Sequence, residues 1–191
     1  MKQCVAVCFY GPFRPNHRMI LRGMIRCLLS PLYRQVECTY FLHTVMGEDA
    51  LAGLAMMRTD FPFVEVILAS DDLVDIKKVM GMVDRYDKSF RLVLCIRLDM
   101  FYTAPLTSSE IDLMLRHNPI EKTVFMPESP MTGFIAGAPD VLRTFIVNQR
   151  IRCHRLGIVT LRVQADGSIP DQDRKRCPYL DDLLMDHSIL S

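Results

Sequence analysis

Two charged residues, Arg97 and Asp99, follow directly on the apolar run from Leu92 to Ile96. A run of aliphatic and β-branched residues is typical of a strand buried on both faces of a sheet. Because an unpaired charge inside a sheet is costly, both residues are expected at the exit of the strand. In open α/β sheets, ligands bind in the crevice outside the carboxyl ends of the strands. The two side chains share one face and therefore mark a candidate ligand site.

Asp99 is a candidate ligand for a hard divalent cation, Mg²⁺ or Mn²⁺, which binds carboxylates together with substrate phosphates. Such a cation would stabilise the charge that develops when a diphosphate leaves, and Arg97 could add charge to the same oxygens. The two residues could instead form an ion pair at the rim of the sheet, worth less than ~1 kcal/mol if exposed. The residues alone favour neither interpretation.

The loop after the first predicted strand, Phe9-Tyr10-Gly11-Pro12-Phe13-Arg14, is a second candidate. Its glycine lets the backbone approach a ligand closely, and its aromatic rings could stack on a base. Arg14 could pair with a phosphate. The loop contains no glycine-rich phosphate-binding motif, and a turn whose aromatic residues cover the sheet edge is the alternative interpretation.

Polar residues also follow the second and third predicted strands. His43 could contact a ribose or a base, although a structural hydrogen bond is the commoner role of a histidine at a strand end. In Ser70-Asp71-Asp72, one aspartate is expected to cap the next helix. Asp72 is the candidate for recognition of ribose or base.

The elements that must position these residues alternate over about the first half of the chain, which favours a mostly parallel α/β sheet flanked by helices. Strands are predicted at Cys4–Tyr10, Val36–Leu42, Val64–Ala69 and Phe90–Ile96. Helices are predicted from His17 to Leu29, with Asn16 as N-cap and Pro31 as the stop, over Gly47–Arg58, and from the Ser70–Asp72 cap to Tyr86.

The second half has shorter elements. Thr107 and Glu110 have the spacing of a capping box before a helix. The remaining predicted elements are short strands at Thr123–Met126 and Gly133–Ala138, a helix from Pro139, and a hairpin over Val159–Gln164 that turns at Asp166-Gly167.

Composition limits the protein class. The chain has 191 residues, half of them hydrophobic and a quarter charged, which suits one packed domain over 1–191. A net charge of +1 gives no general attraction to nucleic acid, and no transmembrane segment is expected. The seven cysteines include no CxxC, so a reducing, cytoplasmic location is expected. Zinc binding by Cys153-His154 or Cys177 matches no standard spacing.

Taken together, several segments resemble a group of small GT-A-fold glycosyltransferases. This group includes modules of large algal viruses and related bacterial polysaccharide enzymes. The resemblance runs in order from Val5 to Gly167, over these segments: Val5–Gly11 with Arg14, Tyr40–Thr44, Tyr86-Asp87, Ile96–Phe101, Val124–Pro127, Phe134–Gly137, and Leu161-Arg162 with Asp166-Gly167.

The resemblance implies a GT-A-like fold with a nucleotide-binding half, about 1–104, and a sugar and acceptor half, about 105–191. It implies a nucleotide-diphosphate sugar donor, most often a uridine one, and a glycan or related acceptor. Arg97-Leu98-Asp99 would take the place of the usual Asp-x-Asp motif, with Asp99 on the metal. The loop Phe9-Tyr10-Gly11 would hold the nucleotide, with Arg14 near the phosphates.

Two further roles follow from the resemblance. His187, with His154 as the alternative, would complete the metal site. Glu128 would be the general base of an inverting transfer. The family often carries an Asn-Asp pair before its Phe-Ile-Ala-Gly-like strand, where this chain has Met131-Thr132-Gly133.

The prediction is therefore a metal-dependent glycosyltransferase. The missing Asn-Asp pair motivates a second hypothesis, a catalytically inactive binding or scaffold module of the same fold. A nucleotidyltransferase is the third hypothesis. It should carry a glycine-rich basic loop after the first strand, and Gly11-Pro12-Phe13-Arg14 is too short and too aromatic for that.

Overall fold

The computed structural model describes residues 3–70, 75–116, 122–127, 133–148 and 151–175. Its strands are β1 (Gln3–Tyr10), β2 (Val36–Val45), β3 (Phe63–Ala69), β4 (Leu92–Arg97), β5 (Met100–Tyr102), β6 (Thr123–Pro127), β7 (Phe134–Gly137), β8 (Arg152–Leu156) and β9 (Thr160–Arg162). Its helices are α1 (His17–Met24), α2 (Ser30–Tyr33), α3 (Glu48–Asp60), α4 (Ile76–Arg85), α5 (Ser108–Arg116), α6 (Pro139–Asn148) and α7 (Asp171–Arg174). A π-helical segment, Ile25–Leu29, joins α1 to α2.

Seven strands form one mostly parallel sheet in the order β3-β2-β1-β4-β7-β6-β8. The first four of these are parallel, β7 runs antiparallel to both β4 and β6, and β8 is parallel to β6. β5 and β9 form a separate antiparallel pair. The predicted α/β class with a mostly parallel sheet is confirmed.

Each face of the sheet carries its own hydrophobic core, because successive strand residues point to opposite faces. In β1, Val5, Val7 and Phe9 pack in the core that includes residues of α1 and α3. Ala6, Cys8 and Tyr10 pack in the opposite core with α4 and α6. Helices thus cover both faces, and the carboxyl edge of the parallel strands is the side that remains for a ligand.

Several predicted helix boundaries differ from the structure. Pro31 does not stop the first helical region, which continues through the π-helical segment into α2. The Cys27 carbonyl, four residues before Pro31, accepts a hydrogen bond from the Leu106 amide at 2.8 Å, so it does not depend on the N–H that proline lacks. The cap of α4 is Asp75, whose carboxylate accepts a hydrogen bond from the Lys77 amide at 3.1 Å. Asn16 makes no side-chain cap for α1; its amide donates to the Gly167 carbonyl at 2.7 Å instead.

The capping box before α5 is confirmed. The Thr107 amide donates to the Glu110 carboxylate at 2.8 Å, and the Glu110 amide donates back to the Thr107 hydroxyl at 3.2 Å.

The strand pairing predicted for the hairpin over Val159–Gln164 is wrong. The turn at Gly167 forms, with φ of +83°, but β9 pairs with β5 rather than with the residues after the turn. Among the described residues, no helix is long and apolar enough to cross a membrane.

Candidate functional site

A cavity of about 330 Å³ opens where β1, β2 and β4 end. This size lies at the lower end of the range of small-molecule sites. It is lined by Tyr10, Gly11, Pro12, Arg14, Val45, Arg97, Asp99 and Arg162. The structure thus brings together Tyr10, Gly11, Arg14, Arg97 and Asp99, all five of which the sequence placed at this edge.

Backbone hydrogen bonds fix the segment that carries Asp99. The Leu98 amide donates to the Tyr10 carbonyl at 2.9 Å, so the chain stays attached to β1 after β4 has ended. The Val163 amide donates to the Asp99 carbonyl at 2.9 Å, just before β5 pairs with β9. Asp99 is therefore held between the large sheet and the small one.

Arg97 and Asp99 form a bidentate ion pair. Arg97 Nε donates to Asp99 Oδ1 at 2.8 Å and Nη2 donates to Oδ2 at 2.6 Å. The Asp99 side chain is 1% exposed, whereas 34% of the Arg97 side chain is exposed. Burial acts to lower the pKa of Arg97, but hydrogen bonding and the charge of Asp99 outweigh it, and that pKa is raised. The ion pair is thus buried on its acidic side, unlike the exposed rim pair considered from sequence.

Gly11 supplies the backbone conformation with which the first-strand loop turns beside Asp99. Its φ is +106°, a conformation that L-residues rarely adopt, and a Cβ there would lie 3.6 Å from Asp99 Oδ1. The buried Thr44 hydroxyl donates to the Gly11 carbonyl at 2.8 Å. The turn is therefore tied to β2 as well as to β4.

Three guanidinium groups line the cavity against one carboxylate. Arg14 follows β1, and its Nε is buried with no hydrogen-bond acceptor among the described residues. Arg97 ends β4, and Arg162 ends β9 opposite Met100. The charged side chains that line the cavity therefore have a net positive charge, which suits an anion with several oxygens, such as a diphosphate.

Arg162 is the charged lining residue that sequence reasoning did not place in the site. It reaches the cavity because β9 pairs with β5, a strand of three residues that was not predicted. The only signal was the Leu161-Arg162 segment within the resemblance.

Only one of the two predicted aromatic residues faces the cavity. Phe9 is fully buried on the opposite face, where its ring packs against Phe61 at a centroid distance of 5.4 Å. Stacking of Phe9 on a base is therefore wrong for this structure, because neighbouring strand residues point to opposite faces. Tyr10 lines the cavity. Burial, and then the neighbouring Cys95 thiol, raises the pKa of the Tyr10 phenol, which therefore stays protonated at neutral pH.

His43 lies beside this cavity rather than in it. It pairs in register with Tyr10, which pairs on its other side with Arg97. Neighbouring strands are about 5 Å apart, so these three residues form a row about 10 Å long across the sheet edge. His43 itself lines an adjoining cavity of about 510 Å³ that also includes Lys78 and Arg85.

The other predicted site residues are not part of this arrangement. Asp72, Glu128 and His187 lie outside the described residues. His154 lies on β8, at the far edge of the sheet, and does not line the cavity.

The described donor set does not fit the predicted divalent cation. Asp99 is the only carboxylate among the lining residues, and both of its oxygens accept hydrogen bonds from Arg97. Within the described part of the chain, no group of three or more histidine, cysteine, aspartate or glutamate side chains could hold a metal.

No protein-family model matches the sequence, and none of the curated proteins is similar to it. Solved structures are similar in fold. GlyE, a glycosyltransferase from Streptococcus pneumoniae TIGR4, has 14% sequence identity and a TM-score of 0.41 over 78% of this chain and 37% of GlyE. The chain thus spans little more than a third of the length of GlyE.

Two other solved structures match this chain over a larger share of their own length. A protein from Desulfovibrio desulfuricans G20, provisionally named a nucleotide-diphospho-sugar transferase, has 10% identity and a TM-score of 0.46 over 82% of this chain and 80% of that one. HddC from Yersinia pseudotuberculosis has 9% identity and a TM-score of 0.52 over 92% and 97% of the two chains. At these identities the likeness establishes the fold: the chain has the α/β fold of HddC over nearly the full length of both.

Proposed function

We propose that this chain is a glycosyltransferase that moves a sugar from a nucleotide-diphosphate donor, with uridine diphosphate (UDP) as the first candidate, to a glycan or related acceptor. The observation that carries the proposal is the cavity at the carboxyl edge, where three guanidinium groups lie beside the His43–Tyr10–Arg97 row. This is the edge at which open α/β sheets bind their ligands.

The row has the dimensions of a nucleoside diphosphate. Its Arg97 end lies in the cavity with Arg14 and Arg162, which suits the two phosphates. Its His43 end lies about 10 Å away, which suits the nucleoside. Tyr10, between them, can donate a hydrogen bond because its phenol is protonated.

The chemistry that this placement supports is substitution at the anomeric carbon of the sugar. The bond from that carbon to the diphosphate oxygen breaks, and a bond to the acceptor hydroxyl oxygen forms. The electron pair stays on the diphosphate, whose growing negative charge the guanidinium groups stabilise. The hydroxyl proton passes to a general base, for which Glu128 stays a prediction.

A screen of ligand-induced stabilisation tests the donor class. Uridine, UDP, GDP, UDP-sugars and a nucleoside triphosphate with a sugar phosphate are compared by thermal shift. A UDP-sugar at one hundred times its Kd should stabilise the fold by ~2.7 kcal/mol. For a chain of this size that corresponds to a rise in Tm of about 5–10 °C.

The outcomes separate the three hypotheses. Release of UDP from a UDP-sugar supports the transferase. Binding of UDP without hydrolysis or transfer would support the inactive binding module instead. Release of pyrophosphate from a nucleoside triphosphate and a sugar phosphate would support a nucleotidyltransferase. No shift with any nucleotide would overturn the proposal.

A further inference from the structure

The carboxylate that lines the cavity is already paired with a guanidinium. Both oxygens of Asp99 accept hydrogen bonds from Arg97, at 2.8 and 2.6 Å, and the carboxylate has almost no contact with solvent. A divalent cation on Asp99 would compete with Arg97 for the two carboxylate oxygens. It would also lie beside a guanidinium of the same sign of charge, which is unfavourable.

The cavity also holds guanidinium groups that can donate further hydrogen bonds to a ligand. Two of the five N–H groups of Arg97 bond to Asp99, and 34% of the Arg97 side chain stays exposed where it lines the cavity. Arg14 Nε is buried and has no acceptor among the described residues. A buried donor left without an acceptor is costly, and phosphate oxygens would satisfy it.

We propose that Arg14, Arg97 and Arg162 bind the donor diphosphate directly and take the place of a divalent cation, while Asp99 is a positioning residue for Arg97. This inference rests on the proposed function. Guanidinium groups match phosphate geometry with two parallel hydrogen bonds, and they carry the positive charge that a metal ion would otherwise supply.

The surroundings of Asp99 explain how Arg97 can be ready for the diphosphate before it binds. The backbone on both sides of Asp99 is fixed, by the Leu98 amide on β1 and by the Val163 amide after β9. The bidentate pair then fixes the plane of the Arg97 guanidinium. Charged groups held in place before the reaction need no reorganisation as the leaving group forms.

Titration calorimetry of the whole chain with UDP and with inorganic pyrophosphate tests the inference. Each ligand is measured once in excess EDTA and once with Mn²⁺. The Mn²⁺ concentration is kept low enough that part of each ligand stays free of metal in solution. We expect both to bind in EDTA, with a Kd within about threefold of the Kd in Mn²⁺. Binding only with Mn²⁺, or a Kd more than about tenfold lower with it, would overturn the inference and leave the proposed function standing.

Variants identify the residues that bind the diphosphate. Arg14→Ala and Arg162→Ala should each weaken pyrophosphate and UDP binding in EDTA about tenfold, as expected for the loss of a charge-assisted hydrogen bond. Uridine affinity should not change. Arg58→Ala is the matched control, because Arg58 is an exposed arginine on α3 that does not line the cavity. Unchanged pyrophosphate affinity in both cavity variants would overturn the inference.

Asp99→Asn separates a positioning role from a general loss of structure. At a temperature well below the Tm of the variant, pyrophosphate affinity in EDTA should fall while uridine affinity is kept. An equal loss for both ligands would contradict the positioning role. If neither UDP nor pyrophosphate binds the wild-type chain in any condition, the inference fails, and the proposed function fails with it when the other nucleotides of the thermal-shift screen also give no shift.

Discussion

Replacing Arg97 by methionine should destabilise the fold more than replacing its partner Asp99 by asparagine. Methionine keeps most of the length of the side chain but leaves the Asp99 carboxylate, which is 1% exposed, without its cation. Loss of one partner from a buried ion pair costs about 3–5 kcal/mol. Because 34% of Arg97 is exposed, water can enter more easily than in a fully buried pair, and we expect the lower end of that range.

Replacing Asp99 instead of Arg97 leaves the guanidinium, and not the carboxylate, without its charged partner. In Asp99→Asn, the remaining Arg97 can turn its guanidinium to solvent, and the asparagine oxygen can still accept one hydrogen bond. We expect a loss of about 1–2 kcal/mol, typical of hydrogen bonds to a charged group. The double variant Arg97→Met with Asp99→Asn should be more stable than Arg97→Met alone, because it no longer buries an unpaired charge.

Urea unfolding followed by circular dichroism measures all three variants, with equal m-values as the check that the same transition is compared. For Arg97→Met, a loss of about 3 kcal/mol corresponds to a fall in Tm of about 6–12 °C. Arg58→Met, on an exposed position, should stay within about 0.5 kcal/mol of the wild type. If the asparagine substitution fails to restore stability to Arg97→Met, Asp99 is not a buried charge that depends on Arg97.

Three further predictions concern positions around the same site and away from it. Gly11→Ala should cost about 1–3 kcal/mol in urea unfolding, because alanine is strained at the φ of +106° observed there; a neutral result would contradict that backbone conformation. Arg97→Asp places a second carboxylate beside Asp99, so we expect a lower Tm in EDTA and a recovery on addition of Mn²⁺ that the wild type does not show. Thr107→Ala removes the capping box of α5 and should cost about 1 kcal/mol, while UDP affinity measured by calorimetry stays the same.

The position of the cavity at the sheet edge could be predicted from the sequence because it depends on local signals. The parallel strands end in Tyr10-Gly11 and in Arg97, and the topology of an α/β sheet brings such ends to one edge. The bidentate pairing of Arg97 with Asp99 could be named only as one of two alternatives, because two residues on one face can equally bind each other or a shared ligand.

The remaining features depend on contacts between distant parts of the chain. Arg162 reaches the cavity through the pairing of β9 with β5, two strands of three residues each, and so short a strand has little pattern of its own. Strand alternation indicates that Phe9 and Tyr10 point to opposite faces of the sheet. Which of the two residues reaches the cavity depends on how α1 and α4 pack on those faces. Asn16 has the residue type of a helix cap, yet its amide bonds to Gly167, far along the chain.

The reversed direction of β7 has a consequence for how this edge of the sheet can change. β7 lies between β4 and β6 in the sheet and is antiparallel to both, so β6 has the same direction as β4. The carboxyl end of β6 and the amino end of β7 therefore lie at the edge that carries the cavity. Pro127 and Gly133, at the two ends of that connection, are therefore on the same side as Arg97, whose amide donates to the Gly133 carbonyl at 2.8 Å. Under the proposed function, the donor would lie beside the turns after β1 and β4. The hydrogen bonds that hold those turns, from the Leu98 amide to the Tyr10 carbonyl and from the Thr44 hydroxyl to the Gly11 carbonyl, involve neither β6 nor β7. The ends of β6 and β7 can therefore change without breaking the hydrogen bonds that hold these two turns.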